Sequence, residues 1–246
     1  MSVLDESQFL DQYRPDDYPR AAVTVDLVIF TVRDADLKVL LIKRGEPPFK
    51  DLWALPGGFI RVGQNDDHAG ENLEDAAHRV LAEETGLPER SAYLEQLYTF
   101  GDVDRDPRMR VISVAWFALV SPDLAPLVTA GRSAEAVGWH SLSENKAGLA
   151  FDHNDIVEHG VQRIRGKLNY APIAFDLVAE SFTIAELRSV HEAVRGAEID
   201  AGNFRRKFLR MVEDGWVEKA PGRRHTAGKP AAVFRFNQQA FNTQNA

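Results

Sequence analysis

The 246-residue chain contains no cysteine. Disulfide frameworks and thiolate metal sites are therefore excluded, and the composition suits a reducing cytosol. The chain also lacks any apolar run near the ~20 residues that a membrane-spanning helix needs. Met1 to Tyr18 is acidic and polar, without the basic start and apolar stretch of a secretory signal. The expectation is a soluble cytoplasmic protein with no membrane partner. Positive charge is scarce as well: 29 Lys+Arg stand against 37 Asp+Glu, a net charge of −8 that taken alone speaks against nucleic acid.

The distribution of charge says more than its sum. Residues 1–150 hold 15 basic and 25 acidic residues, whereas residues 151–246 hold 14 and 12. Within 200–235 there are 9 basic and 4 acidic residues. An acidic half followed by a locally basic one fits a sensor joined to a DNA-binding module; a solvated basic helix gives the same signal.

Four segments are expected: a loose arm over 1–19, broken by Pro15 and Pro19; a domain over 20–150; a linking helix within 151–170; and a second domain over 171–246. Ala21–Thr31 is β-branched and apolar, a strand buried on at least one face, and Lys38–Lys43 is its hairpin partner across a turn at Val32–Leu37. Tyr93–Gly101, Arg110–Val120 and Glu135–His140 are further strands. Glu71–Thr85 carries an apolar stripe at spacings of three and four, with Gly86 placed to cap it. From Asn154 the pattern turns helical. Asp155–Leu168, Thr183–Arg195 with the capping box Thr183–Glu186, and Ala201–Glu213 behind the N-cap Asp200 are helices, and Pro172–Ala179 is a short one. Trp216–Lys219 and Ala232–Phe236 are strands flanking the basic loop Pro221–Pro230.

Two constellations carry chemistry. The first is Trp53–Gly58 (WALPGG) followed by Glu71 and by Arg79-Val-Leu-Ala-Glu-Glu-Thr-Gly-Leu87. It resembles the Nudix box, with Glu71, Arg79, Leu81, Glu83, Glu84, Gly86 and Leu87 on matching positions. That family hydrolyses nucleoside diphosphate linkages with divalent cations, which need several oxygen ligands. Carboxylates at 80, 83 and 84 would share one helix face. Here position 80 is Val80, which supplies no oxygen and places methyl groups where a metal would sit. Asn65 stands where the family has a glycine, and Gln64 takes a glutamate's place if the loop carries no insertion. The reading is a binding pocket with neither a catalytic residue nor a metal ligand set, for which no cofactor is required. Gly57 and Gly58 allow a diphosphate close to the backbone. Lys43, Arg44, Glu83, Glu84, Arg108 and Arg110 complete the effector-binding candidates.

The second constellation is a helix-turn-helix with a wing. Thr183–Arg195 and Ala201–Glu213 are joined by Gly196–Asp200. The second helix buries Phe204, Phe208, Leu209 and Val212 and turns out Asn203, Arg205, Arg206, Lys207 and Arg210, suited to the major groove. Arg223, Arg224 and Lys229 of the wing are expected on phosphates or in the minor groove. A helical protein-interaction domain with a hairpin is the alternative.

In this order the two halves resemble the Nudix-related transcriptional regulators of the NrtR family. The resemblance implies an α+β chain: an N-terminal Nudix-like α/β/α sandwich with a C-terminal winged helix-turn-helix. It further implies a homodimeric repressor of NAD metabolism genes, released from a palindromic double-stranded operator by ADP-ribose or a related metabolite. Two rival classes stay open: an ADP-ribose pyrophosphohydrolase with an accessory domain, and a nucleotide-dependent protein adaptor.

Overall fold

The computed structural model describes residues 5–63, 70–88, 91–131, 134–142, 148–225 and 229–245. Its centre is the long strand β1 (Ala22–Arg33), which pairs antiparallel with β2 (Asp36–Arg44) and parallel with β6 (Val111–Leu119). The short strands β3 (Trp53–Ala54) and β4 (Gly57–Phe59) pair with β2 and β1 respectively. β5 (Tyr93–Phe100) lies outside β6, and β7 (Ala134–Ser141) pairs with β2.

Successive side chains of a strand point to opposite faces. Leu27 and Ile29 therefore pack under α2 (Leu73–Thr85) with Ala76, Ala77, Val80 and Leu81. Val28 and Phe30 face the other way, against Ile156 and Ile164 of α3 (His153–Lys167). Residues 27 to 30 are fully buried; complete burial of one such side chain is worth roughly 1.5–3 kcal/mol. The sandwich follows from this one strand, apolar on both faces. Helix α3 is a layer of it rather than a free connector: Gly160 lies so close to Phe30 that an added Cβ would sit 3.1 Å from the ring.

Two expectations near the start need correction. The arm is not loose throughout. Asp5 accepts the amide of Gln8 at 3.0 Å and caps α1 (Glu6–Gln12), whose side chains remain exposed. The turn between β1 and β2 is shorter than Val32–Leu37. Pairing continues to Arg33↔Asp36, leaving only Asp34 and Ala35, both with positive φ (55° and 59°). Two-residue hairpins use this mirror-image turn because it matches the twist of the strands.

The second half holds the turn Ile173–Leu177, α4 (Ile184–Arg195), α5 (Ala201–Glu213), the hairpin β8 (Val217–Arg224) and β9 (Ala231–Phe236), and α6 (Gln238–Asn245). The capping box at Thr183 and the Asp200 cap both form. β8 extends five residues beyond the expected strand end at Lys219, past an irregularity before Arg223, so the wing tip is shorter than Pro221–Pro230. α6 was not foreseen; it packs Phe241 on Trp216, whose indole N–H donates to Gln244 at 2.7 Å. The halves share one core, in which Leu187, Val190 and Val194 of α4 join Val32 and Leu37 of the sheet.

Candidate effector pocket and nucleic-acid interface

A cavity of about 190 Å³ opens at the β1–β4–β2 face. Arg44, Gly57, Gly58 and Arg108, four of the expected binding residues, all line it. Arg44 lies 5.0 Å over the ring of Phe151, and Arg108 lies 5.5 Å over Phe59 and 5.9 Å over Phe151. The Arg108 guanidinium is oriented by Asp106, which takes its Nε at 3.0 Å and its Nη2 at 2.8 Å. Those bonds raise the Arg108 pKa and lower that of Asp106. Arg44 donates Nε to the carbonyl of Pro48 at 2.7 Å. Burial, and then the like charge of Arg108, lower its pKa. Two cations beside aromatic rings and a glycine loop are the chemistry that an anionic, ring-bearing ligand requires.

Beneath the cavity lies a buried polar network that sequence reasoning missed. Arg105, with a side chain only 3% exposed, donates to both oxygens of Asp152 at 2.8 and 2.6 Å and reaches Asp26 at 3.5 Å. Burial opposes its charge, but Asp152 and Asp26 more than compensate, so its pKa is raised. Asp26 also accepts the Ser113 hydroxyl and stands 3.8 Å from His153 Nε2. His153 Nδ1 accepts the Leu55 amide at 2.9 Å, which leaves any proton of the neutral ring on Nε2; burial lowers its pKa. The Thr24 hydroxyl, buried without a hydrogen-bond partner among the described residues, lines the same cavity. Gly57 is required here, since a Cβ would fall 2.1 Å from Asp26 Oδ1. One signal for this network was available: Asp26 is a lone charge inside an otherwise apolar strand. Arg105 sat unremarked beside Arg108, and His153 gave no signal.

Four expected binding residues are not brought to the cavity. Lys43 follows the strand alternation away from Arg44 and pairs with Asp51 at 3.3 Å and Glu135 at 3.5 Å. Arg110 donates to the Asp102 carbonyl at 3.0 Å. Glu83 and Glu84 lie on α2; Glu83 binds Arg61 at 2.7 Å and Arg79 at 2.9 Å, and Glu84 lies against Gly131. Glu71 holds Arg79 through both oxygens. The Arg79 bonds lower the pKa of Glu71 and Glu83. Val80 is 1% exposed and packs in the α2 core, where a Cβ on Gly58 would meet its methyl at 3.4 Å. Among the described residues of this face, position 80 offers a methyl, and arginines hold oxygens of Glu71 and Glu83. Gln64 and Asn65 lie outside the described residues.

On α5, Asn203, Arg205, Arg206, Lys207 and Arg210 are all exposed, opposite buried Phe204 and Phe208. Leu209 is a correction: it is 43% exposed, on the basic side, and Val212 is only half-buried. Arg206 donates to the Asn203 amide oxygen, linking two of the outward side chains. On the wing, Arg223 and Lys229 are exposed. Arg224 turns inward instead, donating to Glu186 at 3.0 Å and to the Ser181 carbonyl at 2.7 Å, so it braces the start of α4. Lys219, exposed on β8, adds a cation that the strand reading had passed over.

A Nudix sandwich followed by a winged helix defines a class of two-domain regulators. The NUDIX domain model matches residues 22–160, and the NrtR DNA-binding winged helix domain model matches residues 174–236. The chain belongs to the NrtR family of Nudix-type regulators. It is 36% identical to the ADPR responsive transcriptional repressor NtrR of Acinetobacter baylyi, over 98% of this chain and 92% of that one. It resembles Shewanella oneidensis NrtR complexed with a 27mer DNA at 33% identity and TM-score 0.74, covering 89% of this chain and 95% of that one. The NUDIX domain of that protein, complexed with ADP ribose, matches at 36% identity and TM-score 0.56, over 65% of this chain and 99% of that one. The first half alone is 38% identical to the ADP-ribose pyrophosphatase of Methanocaldococcus jannaschii, over 57% of this chain and 73% of that protein.

Proposed function

We propose that the chain is a repressor of NAD metabolism genes that releases operator DNA when ADP-ribose or a related nucleotide fills the Arg44–Arg108 cavity. One observation carries this reading. The cavity floor and the start of α3 are the same residues, and the far end of α3 lies against the DNA-reading half. Phe151 and His153 line the cavity, Asp152 holds Arg105, and α3 begins at His153. At its other end Arg165 donates to the Val194 carbonyl of α4 at 2.9 Å, and Asn169 accepts from Arg195 at 3.0 Å. A ligand that displaces Phe151 or Arg105 therefore shifts α3 and, with it, the helix-turn-helix.

In this reading Arg44 and Arg108 bind the diphosphate, Phe59 and Phe151 contact a ring, and Thr24 donates or accepts from the floor. Helix α5 enters the major groove, with Asn203, Arg205, Arg206, Lys207 and Arg210 toward bases and phosphates, while Arg223 and Lys229 hold the flanking backbone. The chain acts as a cytoplasmic homodimer on a palindrome, because two reading helices must match two half-sites. A coupling of ~1–3 kcal/mol would weaken operator binding roughly 5- to 150-fold. A mobility-shift assay on the promoters of neighbouring genes, with and without ADP-ribose, tests it. Unchanged DNA affinity at saturating ADP-ribose refutes the coupling.

The hydrolase reading draws on the pyrophosphatase relative, and Val80 speaks against it. Incubating ADP-ribose with the protein and Mg²⁺ separates the two. Turnover at an ordinary enzymatic rate would make the chain an enzyme; the expectation is none.

A further inference from the structure

A second cavity, of about 340 Å³, lies where the two halves meet. Tyr93 at the start of β5 lines it from the sheet, Phe175 and Asp176 from the connecting turn, and Phe182, Arg235 and Phe236 from the winged helix. Phe175 stacks on Phe236 with centroids 4.1 Å apart and planes 8° from parallel, and meets Phe182 at 5.7 Å. Asp176 lines the same cavity. It makes no hydrogen bond or ion pair with any other described residue. Arg235, the cation on the same wall, is held by Glu218 at 2.7 Å. Burial pushes the Asp176 carboxyl up to about 6.

A half-buried carboxylate without a protein partner costs stability, because part of the water that would solvate it has been removed. Aromatic faces attract cations, and a carboxylate completes the attraction. We propose that this cavity binds a small organic cation, an ammonium or pyridinium group on a ring-sized apolar body, with Asp176 as its counter-ion and Tyr93, Phe175 and Phe236 as its walls. The walls come from the sheet, the turn and the wing. Occupancy therefore fixes the placement of the DNA-reading half against the sensor half, by a route separate from the nucleotide cavity. The site does not depend on what fills the Arg44–Arg108 cavity.

The test titrates the full chain with benzylammonium and N-methylpyridinium, using benzyl alcohol as the uncharged match, and follows aromatic NMR shifts and thermal denaturation. The cations are expected to bind at millimolar concentration or better and to perturb Tyr93 and Phe236. Asp176→Asn should weaken them about tenfold or more, Asp176→Glu should retain them, and Arg44→Ala should leave them unchanged. Asp176→Asn removes a desolvated charge, so its melting temperature without ligand should not fall. The proposal is overturned if the cations leave the spectrum untouched, if benzyl alcohol binds as well as benzylammonium, or if folded Asp176→Asn binds them with undiminished affinity.

Discussion

Replacing Arg44 with alanine tests the cavity proposed to take the nucleotide. The side chain is already oriented: Nε is fixed on the Pro48 carbonyl at 2.7 Å and the guanidinium rests 5.0 Å over Phe151. Nη1 makes no hydrogen bond to a described residue, and the Glu46 carbonyl is a distant 3.4 Å from Nη2. One edge is thus available to an anion without prior rearrangement. Hydrogen bonds to charged groups contribute ~1.5–3 kcal/mol each, and loss of one corresponds to a roughly 10- to 150-fold weaker ligand. The like charge of Arg108 acts in the same direction, since an anion between the two cations relieves their repulsion. Calorimetry with ADP-ribose should show that weakening, and Arg44→Lys should fall between, keeping charge but not the fork. Operator affinity without ligand should be unchanged, while the ligand concentration giving half-release rises by the same factor. A folded Arg44→Ala protein that binds ADP-ribose within about twofold of wild type would show that the cavity is not the nucleotide site.

Arg105→Met strips the counter-charge from Asp26 and Asp152 and should cost ~3–5 kcal/mol in urea unfolding, as breaking a buried pair does; a loss below about 1 kcal/mol would mean that water already reaches the network. His191, buried against Phe204 of α5, has its pKa lowered from 6.5 to about 4 by burial. The neutral form is favoured in the folded state, so stability is complete above pH 6.5 and declines as pH falls toward 4. Between pH 6.5 and 5 the loss should approach ~2 kcal/mol, and His191→Leu should flatten that part of the urea-midpoint profile. Arg206→Ala and Lys207→Ala should each weaken operator binding and reduce its salt slope by about 1. Arg224→Ala should instead lower the melting temperature, because its partners are Glu186 and Ser181. Ala35→Gly, at φ 59°, should add ~1 kcal/mol and raise the melting temperature by about 2–4 °C.

Helices and strands announced themselves where local chemistry decides them: the Thr183 box, the Asp200 cap, the Gly86 terminator, and the apolar run of β1. Motifs with fixed spacing were as legible, so the Nudix box and, Leu209 apart, the outward face of α5 could be read directly from residue order. Side-chain partners were harder. Lys43 and Arg44 are neighbours in sequence, yet strand alternation and an irregularity between them in the β2–β7 pairing send one to Asp51 and Glu135 and the other to the cavity. Arg223 and Arg224 look alike in a basic loop, but β8 runs on far enough to turn the second toward α4.

Residue order alone therefore determined which elements form, in what succession, and which family pattern they follow, because capping, periodicity and motif spacing act within a few residues. Only the tertiary structure decided what meets across the fold. Asp26, Arg105 and Asp152 are far apart along the chain and become one network under the cavity, because each is stable in a dry interior only beside an opposite charge. The packing of α3 between that network and α4 was decided in the same way, by which apolar faces remained to be covered once the sheet had closed.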